Sequence, residues 1–179
     1  ALEYIALLRG INVSGQKKVK MTDLAALFED IGCSAVTTYI QSGNVVFRTG
    51  RVNRKTLVDK IEVAICEKFG FEVSVLLRTA EELAVVIASN PYPKRKSVDC
   101  ERLYVTFLDK KPSHDASAIK PNAGEEFKIS GREIYLYCPD GYGRTKLNNN
   151  VFEKRLGVVS TTRNWRSLQK LLEMARSLG

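Results

Sequence analysis

The order of apolar segments in the first half of the chain is the feature that most constrains its fold. Apolar runs predict four strands, at residues 4–8, 36–40, 44–48 and 72–77. Apolar residues at helical spacing predict two helices, one that stops at Gly32 and one that stops at Gly70. The resulting order, βαββαβ, is the signature of a ferredoxin-like fold, also called an α/β-plait.

The second half of the chain predicts a further α+β unit. Thr79 and Glu82 form a capping box at the start of a helix. Strands are expected at residues 102–108, 126–129 and 133–137, and two helices follow them. We place the domain boundary after Arg78, so that residues 1–78 form the ferredoxin-like subdomain and residues 79–179 a second α+β subdomain with C-terminal helices. Because the first and third strands are apolar on both faces, we expect the second half to cover the face that the helices leave open.

The charge of the chain is positive and unevenly distributed. The net charge is +8 over 179 residues. Between Gly141 and Leu172 the only acidic residue is Glu153, whereas the basic residues are Arg144, Lys146, Lys154, Arg155, Arg163, Arg166 and Lys170. Such clustering attracts an anionic partner at low salt. The alternative is a solvated basic face that serves solubility.

Cysteine spacing and hydropathy limit the class of protein. Cys33, Cys66, Cys100 and Cys138 lie more than thirty residues apart and form no Cys-x-x-Cys pair. This spacing is typical of reduced cysteines in a cytoplasmic protein and predicts neither a metal site nor a disulfide framework. The apolar runs are short, so no secretion signal and no membrane partner are expected.

The predicted topology brings two distant polar segments together. In βαββαβ order, the end of the first strand and the turn between the second and third strands meet at one edge of the sheet. We call the polar residues of this edge the edge cluster: Arg9, Asn12, Gln41, Ser42 and Asn44. Such a group can hydrogen-bond a polar ligand. The alternative is that asparagine and glycine only satisfy tight turns.

Two further segments resemble anion-binding helix starts. Arg144, Thr145, Lys146 and Asn148 follow a glycine turn after a strand, and a later helix start contains Arg163 and Asn164. Unpaired N–H groups at a helix start, beside basic side chains, favour phosphate. The spacing fits neither a Walker loop nor a dinucleotide loop. Ordinary capping, by Thr145 in the first helix and by Thr161 or Thr162 in the last, is the alternative.

The chain offers little for catalysis. His114 is its single histidine, and Ser113 beside it is expected to cap a short helix. No carboxylate pair has the spacing of a metal or glycosidase site. We therefore predict no catalytic residue, no metal and no cofactor, and whether the protein is an enzyme stays open.

Four blocks of sequence resemble one known family. They are residues 4–13 (YIALLRGINV), 39–47 (YIQSGNVVF), 143–147 (GRTKL) and 162–165 (TRNW). Together they are similar to the bacterial family catalogued as domain of unknown function 1697. The resemblance implies two ferredoxin-like subdomains in a cytosolic protein. It implies no established activity and therefore no catalytic residues.

Taken together, these patterns predict a cytoplasmic, non-catalytic protein that binds an anionic, phosphate-bearing small molecule. Arg144, Lys146 and Arg163 are expected to neutralise its charge. Hydrogen bonds are expected from Asn12, Gln41, Ser42, Asn44 and Asn164. Two alternatives stay open: nucleic-acid backbone binding through the basic C-terminal face, and an interaction or dimerisation module that uses exposed strand edges. An RNA-recognition module is disfavoured, because its two central strands would offer only Tyr4 and Phe47 for stacking.

Overall fold

The structure, a computed structural model, describes residues 2–178, which form two compact units. The first unit comprises the chain up to Ala84 and again from Lys170 onward, and the second comprises Val85–Gln169. Each unit contains a four-stranded antiparallel sheet with helices, which confirms the predicted α+β class. The boundary predicted after Arg78 falls inside a strand, and the return of the C-terminal residues to the first unit was not predicted.

The first unit contains the six elements expected from the sequence. They are β1 (Leu2–Leu8), α1 (Met21–Asp30), β2 (Ser34–Tyr39), β3 (Asn44–Thr49), α2 (Arg54–Phe69) and β4 (Val75–Thr79), followed by α3 (Ala80–Ala88). The strand order is β2-β3-β1-β4, and all neighbours are antiparallel. β1 is therefore hydrogen-bonded on both sides, with Ala6 opposite Val45 in β3 and Leu77 in β4.

Aromatic rings from three elements form the centre of the first core. The Phe47 ring stacks on Tyr4 at 5.7 Å between centroids and meets Phe28 of α1 at 5.2 Å. Tyr4 is 4% exposed, and Phe28 and Phe47 are fully buried. Helix α2 adds Ile61 and Ile65 to the same core. The aromatic residues of β1 and β3 thus serve as core, and neither offers a surface on which a base could stack.

The second unit contains a sheet with the same relative strand order. Its elements are β5 (Leu103–Leu108), β6 (Glu126–Ser130), β7 (Glu133–Tyr137), α4 (Asn149–Leu156), β8 (Ser160–Asn164) and α5 (Trp165–Arg176), whose C-terminal part belongs to the first unit. The order is β6-β7-β5-β8, so the first strand of the unit again lies between its third and fourth. Phe152 and Leu156 of α4 pack against Leu108, Ile134 and Leu136 of the sheet.

The segment between β5 and β6 differs from its counterpart in the first unit. Where α1 links β1 to β2, residues 109–125 contain only turns and bends in the described chain. Ile119 anchors this segment, since it is 5% exposed and packs in the core with Phe152 and Leu156 of α4. The expected helix capped by Ser113 is absent from this described segment. Asp115 forms the local turn instead, accepting hydrogen bonds from Ser117 N at 3.0 Å and Ser117 Oγ at 2.8 Å.

Residues 160–164 form a strand, whereas the sequence pattern predicted the start of the last helix in this segment. Thr161 pairs with Phe107 and Thr162 with Thr106 of β5. The Thr106 and Thr162 hydroxyls lie 2.7 Å apart, a cross-strand contact that suits β-branched residues. The cap of α5 is Asn164, whose Oδ1 accepts from Ser167 N at 2.8 Å. The alternative that Thr161 or Thr162 caps the last helix is therefore wrong.

Removal of the central ring of the first core is expected to destabilise the protein strongly. Phe47→Ala leaves a cavity between β1, β3 and α1, and such changes lower the free energy of unfolding by about 3–5 kcal/mol. Chemical denaturation followed by circular dichroism measures the loss. Val63→Ala, at a helix position that is 56% exposed, is the control and is expected to change stability by about 0.5 kcal/mol or less. Equal effects of the two changes would contradict the packing described.

The four cysteines are expected to separate into two reactive and two protected thiols. All are free; Cys66 and Cys100 are exposed, whereas Cys33 and Cys138 are buried. Burial raises the pKa of the Cys33 thiol and raises that of Cys138 to about 11. Because the thiolate is the reactive form, a thiol reagent at neutral pH should modify two groups in the native protein and the other two only after unfolding. Rapid modification of all four in the native state would contradict this burial.

Candidate functional site

The edge cluster forms where β1 ends beside the β2–β3 turn. Leu8 N donates to Gly43 O at 2.9 Å, which joins the two segments. Gly43 has a positive φ of 88°, and a Cβ added there would lie 2.7 Å from Ile11 Cδ1. Only glycine allows this approach. The structure thus brings residues 8–12 against residues 41–44.

The carboxamide of Asn12 joins three backbone segments. Its Nδ2 donates to Gln41 O at 2.8 Å and to Val19 O at 3.0 Å, and its Oδ1 accepts from Val19 N at 2.8 Å. Both amide hydrogens are therefore used within the protein. Asn12 holds the loop that follows β1 against the β2–β3 turn.

Asn44 has a similar internal role at the other end of the turn. It is fully buried, and its Nδ2 donates to Tyr39 O at 2.9 Å and to Ser42 Oγ at 3.0 Å. Gln41 and Ser42 are exposed, and Arg9 is half-buried. These contacts account for Asn12 and Asn44 as turn-forming residues, and a ligand-binding role for the edge cluster stays a prediction.

A cavity of the second unit gathers three of the predicted site residues with cations from elsewhere in the sequence. We call it the basic cavity; its volume is about 360 Å³, and its lining residues are Ala118, Ile119, Lys120, Thr145, Lys146, Asn148, Val151, Lys154 and Arg155. Four of these are cationic and none is acidic. Lys120, Lys154 and Arg155 were not singled out as site residues by the sequence. Lys154 and Arg155 belong to the basic stretch between Gly141 and Leu172, which could have indicated them. Lys120 lies in the irregular segment before β6, and no sequence pattern indicated it.

The loop before α4 positions Lys146 without a regular helix around it. Tyr142–Arg144 form one 3-10 turn, and α4 begins only at Asn149. Asn148 caps α4, since its Oδ1 accepts from Val151 N at 3.0 Å. The Thr145 hydroxyl is buried and accepts from Leu147 N at 2.9 Å. The alternative that Thr145 caps the helix is therefore wrong, because α4 begins only at Asn149 and its cap is Asn148, three residues after Thr145.

A hydrogen-bond network fixes the first turn of α4 to the sheet. Asn149 Oδ1 accepts from Ser160 Oγ at 3.1 Å and from Thr162 Oγ1 at 2.8 Å. Tyr142 Oη donates to Thr162 Oγ1 at 3.2 Å. The network therefore joins the 3-10 turn, α4 and β8 on either side of the Lys146 loop. Such connected side-chain bonds hold one geometry more firmly than separate pairs.

Arg144, Arg163 and Asn164 lie outside the lining of the basic cavity. The Arg144 side chain is exposed, and its carbonyl accepts from Asn122 Nδ2 at 3.1 Å. Arg163 is 7% exposed and donates to Thr161 Oγ1 at 2.6 Å and to Thr162 O at 3.0 Å. Burial lowers the pKa of its guanidinium to about 10. Its charge is thus directed into the protein.

Asn164 lines a separate cavity of the second unit. That cavity has a volume of about 250 Å³ and is lined by Cys100, Glu101, Asn164, Trp165 and Arg166. Arg166 Nη2 lies 2.8 Å from Glu101 Oε1, so its cation is already paired. Asn164 Oδ1 is used to cap α5. The predicted second-unit site is therefore divided, and only Thr145, Lys146 and Asn148 share the basic cavity.

Two absences within residues 2–178 bear on the class of site. No group of three or more His, Cys, Asp or Glu side chains in this range is arranged to hold a metal ion. No helix in the same range has the length and apolar character needed to cross a membrane. His114 is exposed and lies against Gly157, where an added Cβ would meet its Cδ2 at 3.2 Å.

The structural role of Asn12 can be tested with a charge-matched pair of variants. Asn12→Asp removes both amide donors and places a carboxylate beside the Gln41 and Val19 carbonyls. We expect a loss of about 1–3 kcal/mol in the free energy of unfolding, the range for leaving such groups unsatisfied. Gln41→Glu introduces the same charge on an exposed side chain and should have little effect. If both variants unfold at the denaturant concentration of the wild type, Asn12 does not join these segments.

Comparison with known proteins places the chain in a family. Among solved structures, a conserved bacterial protein from Streptococcus pneumoniae matches 97% of this chain and 98% of its own length, with a TM-score of 0.68 and 23% identity, which shows a shared fold. A search of curated proteins gave no match. The family model described as "Protein of unknown function (DUF1697)" matches residues 2–135, which include the edge cluster and end before Arg144. Because this match covers well over half of the sequence, the chain belongs to the DUF1697 family.

Proposed function

We propose that the protein is a cytoplasmic, non-catalytic binder of a phosphate-bearing small molecule and that the basic cavity is the binding site. The supporting observation is the composition of its lining: Lys120, Lys146, Lys154 and Arg155 surround one concavity with no acidic residue among them. None of the four forms a salt bridge with a carboxylate of the described residues. Four cations around one cavity repel one another, and a bound anion relieves that repulsion.

The polar residues of the lining supply directional contacts. Asn148 has its Oδ1 engaged with Val151 N, which orients the carboxamide and leaves Nδ2 as a donor for a ligand oxygen. Lysine and arginine side chains form charge-assisted hydrogen bonds with phosphate that are stronger than neutral ones. A structural alternative accounts for part of the pattern, because Lys154 and Arg155 in the last turn of α4 also favour the helix dipole. That alternative accounts for neither Lys120 nor Lys146.

Cavity size supports a small molecule over nucleic acid. A volume of about 360 Å³ lies in the range of small-molecule sites. Nucleic-acid backbone binding uses an extended cationic stripe and is strongly salt-dependent. One of the basic residues in the C-terminal stretch is unavailable for such a stripe, because Arg163 is buried.

We also propose that the two units are ferredoxin-like subdomains. The first has the element order βαββαβ and the strand order β2-β3-β1-β4, in which both outer strands follow helices. The second repeats the strand arrangement, with residues 109–125 in place of a first helix. Free cysteines, two of them exposed, support the cytoplasmic assignment, because disulfides are typical of oxidising compartments.

The binding proposal is tested by titration of phosphorylated metabolites and short oligonucleotides at low and high salt, with calorimetric detection. We expect a small phosphate compound to bind with an affinity that survives moderate salt. Lys146→Gln should weaken it about 10-fold or more, since a hydrogen bond to a charged group contributes about 1.5–3 kcal/mol. Arg144→Ala should have a smaller effect, because Arg144 does not line the cavity.

Lys128→Gln is the matched control. Lys128 is exposed on β6, and the alternation of side chains places it on the sheet face opposite Phe127 and Ile129, which pack towards α4. The change removes one positive charge outside the cavity. Equal weakening by Lys128→Gln and Lys146→Gln would indicate a general charge effect and contradict a defined site. Binding of oligonucleotides alone, abolished by salt, would favour the backbone-binding alternative.

A further inference from the structure

We infer that the basic cavity accommodates two phosphate groups, so that its ligand is a diphosphate or bisphosphate compound; this inference rests on the proposed function. Three of the four cations of the cavity lie near the two ends of α4, and the fourth, Lys120, comes from the segment before β6. Lys146 precedes the helix, beside the Asn148 cap, whereas Lys154 and Arg155 lie in its last turn. At a rise of about 1.5 Å per residue, the backbone of Lys154 lies about 9 Å along the helix from that of Asn148. The cavity therefore receives cations from both ends of α4, and these can contact two phosphate groups of one ligand.

The charge of the lining also favours a ligand with two phosphate groups. Lys120, Lys146, Lys154 and Arg155 contribute four positive charges and no lining carboxylate opposes them. A phosphate monoester carries about −1.5 to −2 at neutral pH, so two such groups carry about −3 to −4. A single phosphate would leave about half of the cationic charge in the cavity uncompensated. Two phosphates match it.

The apolar residues of the lining indicate what kind of group carries the phosphates. Ile119 is buried to 5% exposure and Val151 is half-buried, and both border the cavity beside the cations. The half-buried Val151 therefore offers an apolar portion of the wall against which an organic group can pack. The ligand class is therefore a compact organic molecule that carries two phosphate groups, attached either as a diphosphate or at two positions.

The test compares inorganic pyrophosphate with orthophosphate on the full chain by titration calorimetry at constant ionic strength. We expect pyrophosphate to bind at least about 10-fold more tightly, the equivalent of about 1.4 kcal/mol. Citrate, a multivalent anion without phosphate, controls for charge alone and should bind no better than orthophosphate. Adenosine diphosphate should bind at least as tightly as pyrophosphate if the apolar wall contributes.

Variants at the two ends of α4 show whether both cationic groups take part. Lys146→Gln and Lys154→Gln should each reduce the preference for pyrophosphate to near unity, while Lys128→Gln should leave it unchanged. All three positions are exposed, and thermal unfolding confirms that the variants fold. If only one of these two lysine variants lost the preference for pyrophosphate over orthophosphate, the two-phosphate inference would be overturned. Equal affinity for pyrophosphate and citrate would overturn it as well.

Failure of this inference and failure of the proposed function give different results. Equal affinities for orthophosphate and pyrophosphate, both weakened by Lys146→Gln, would overturn the inference and leave phosphate binding in place. No heat and no stabilisation with any phosphate compound would overturn both. A pyrophosphate preference lost in both helix-end variants would support both.

Discussion

Each unit depends on a central strand whose backbone is hydrogen-bonded on both sides. β1 lies between β3 and β4, and β5 lies between β7 and β8. A buried strand must pair its N–H and C=O groups, because an unsatisfied backbone group away from water is costly. Ile5 and Leu7 on one face of β1, like Ala6 and Leu8 on the other, are almost completely buried. This requirement places the strands on either side of β1 and β5, and the outer strands β2 and β6 then pair with β3 and β7.

The central strands also explain where polar residues gather. The chain must leave β1 beside the β2–β3 turn, and Asn12 and Asn44 satisfy the backbone groups that this crossing would otherwise leave unpaired. In the second unit, β5 supplies Thr106 to the hydroxyl pair with Thr162, and Thr162 in turn donates to Asn149. This chain of contacts fixes the start of α4. Lys146, Asn148 and Val151 of the basic cavity lie next to that fixed start.

Residues of similar type in the two units have different consequences. Asn12 and Asn44 direct both amide hydrogens to backbone or side-chain acceptors within the first unit. Asn148 uses its oxygen as a helix cap, and its amide nitrogen faces no protein partner among the described residues. A similar contrast holds for the arginines, since Arg163 is buried whereas Arg155 is exposed at the cavity. Residue type alone therefore does not decide which asparagine or arginine can meet a ligand.

Sequence patterns determined the elements whose apolar residues are periodic and the order in which they follow one another. The strands around Ala6 and Val46, the helices around Phe28 and Ile61, and the meeting of Asn12 with the β2–β3 turn all follow from periodicity and from the geometry of a crossover. Tertiary structure decided the rest. Thr161 and Thr162 have no apolar alternation, and they form a strand because β5 offers an unpaired edge. Lys120 lies far from Lys146 in sequence and reaches the same cavity because Ile119 is anchored in the core beneath α4. Local periodicity reports which face of an element is buried, whereas the convergence of charges depends on long-range packing that no local pattern encodes.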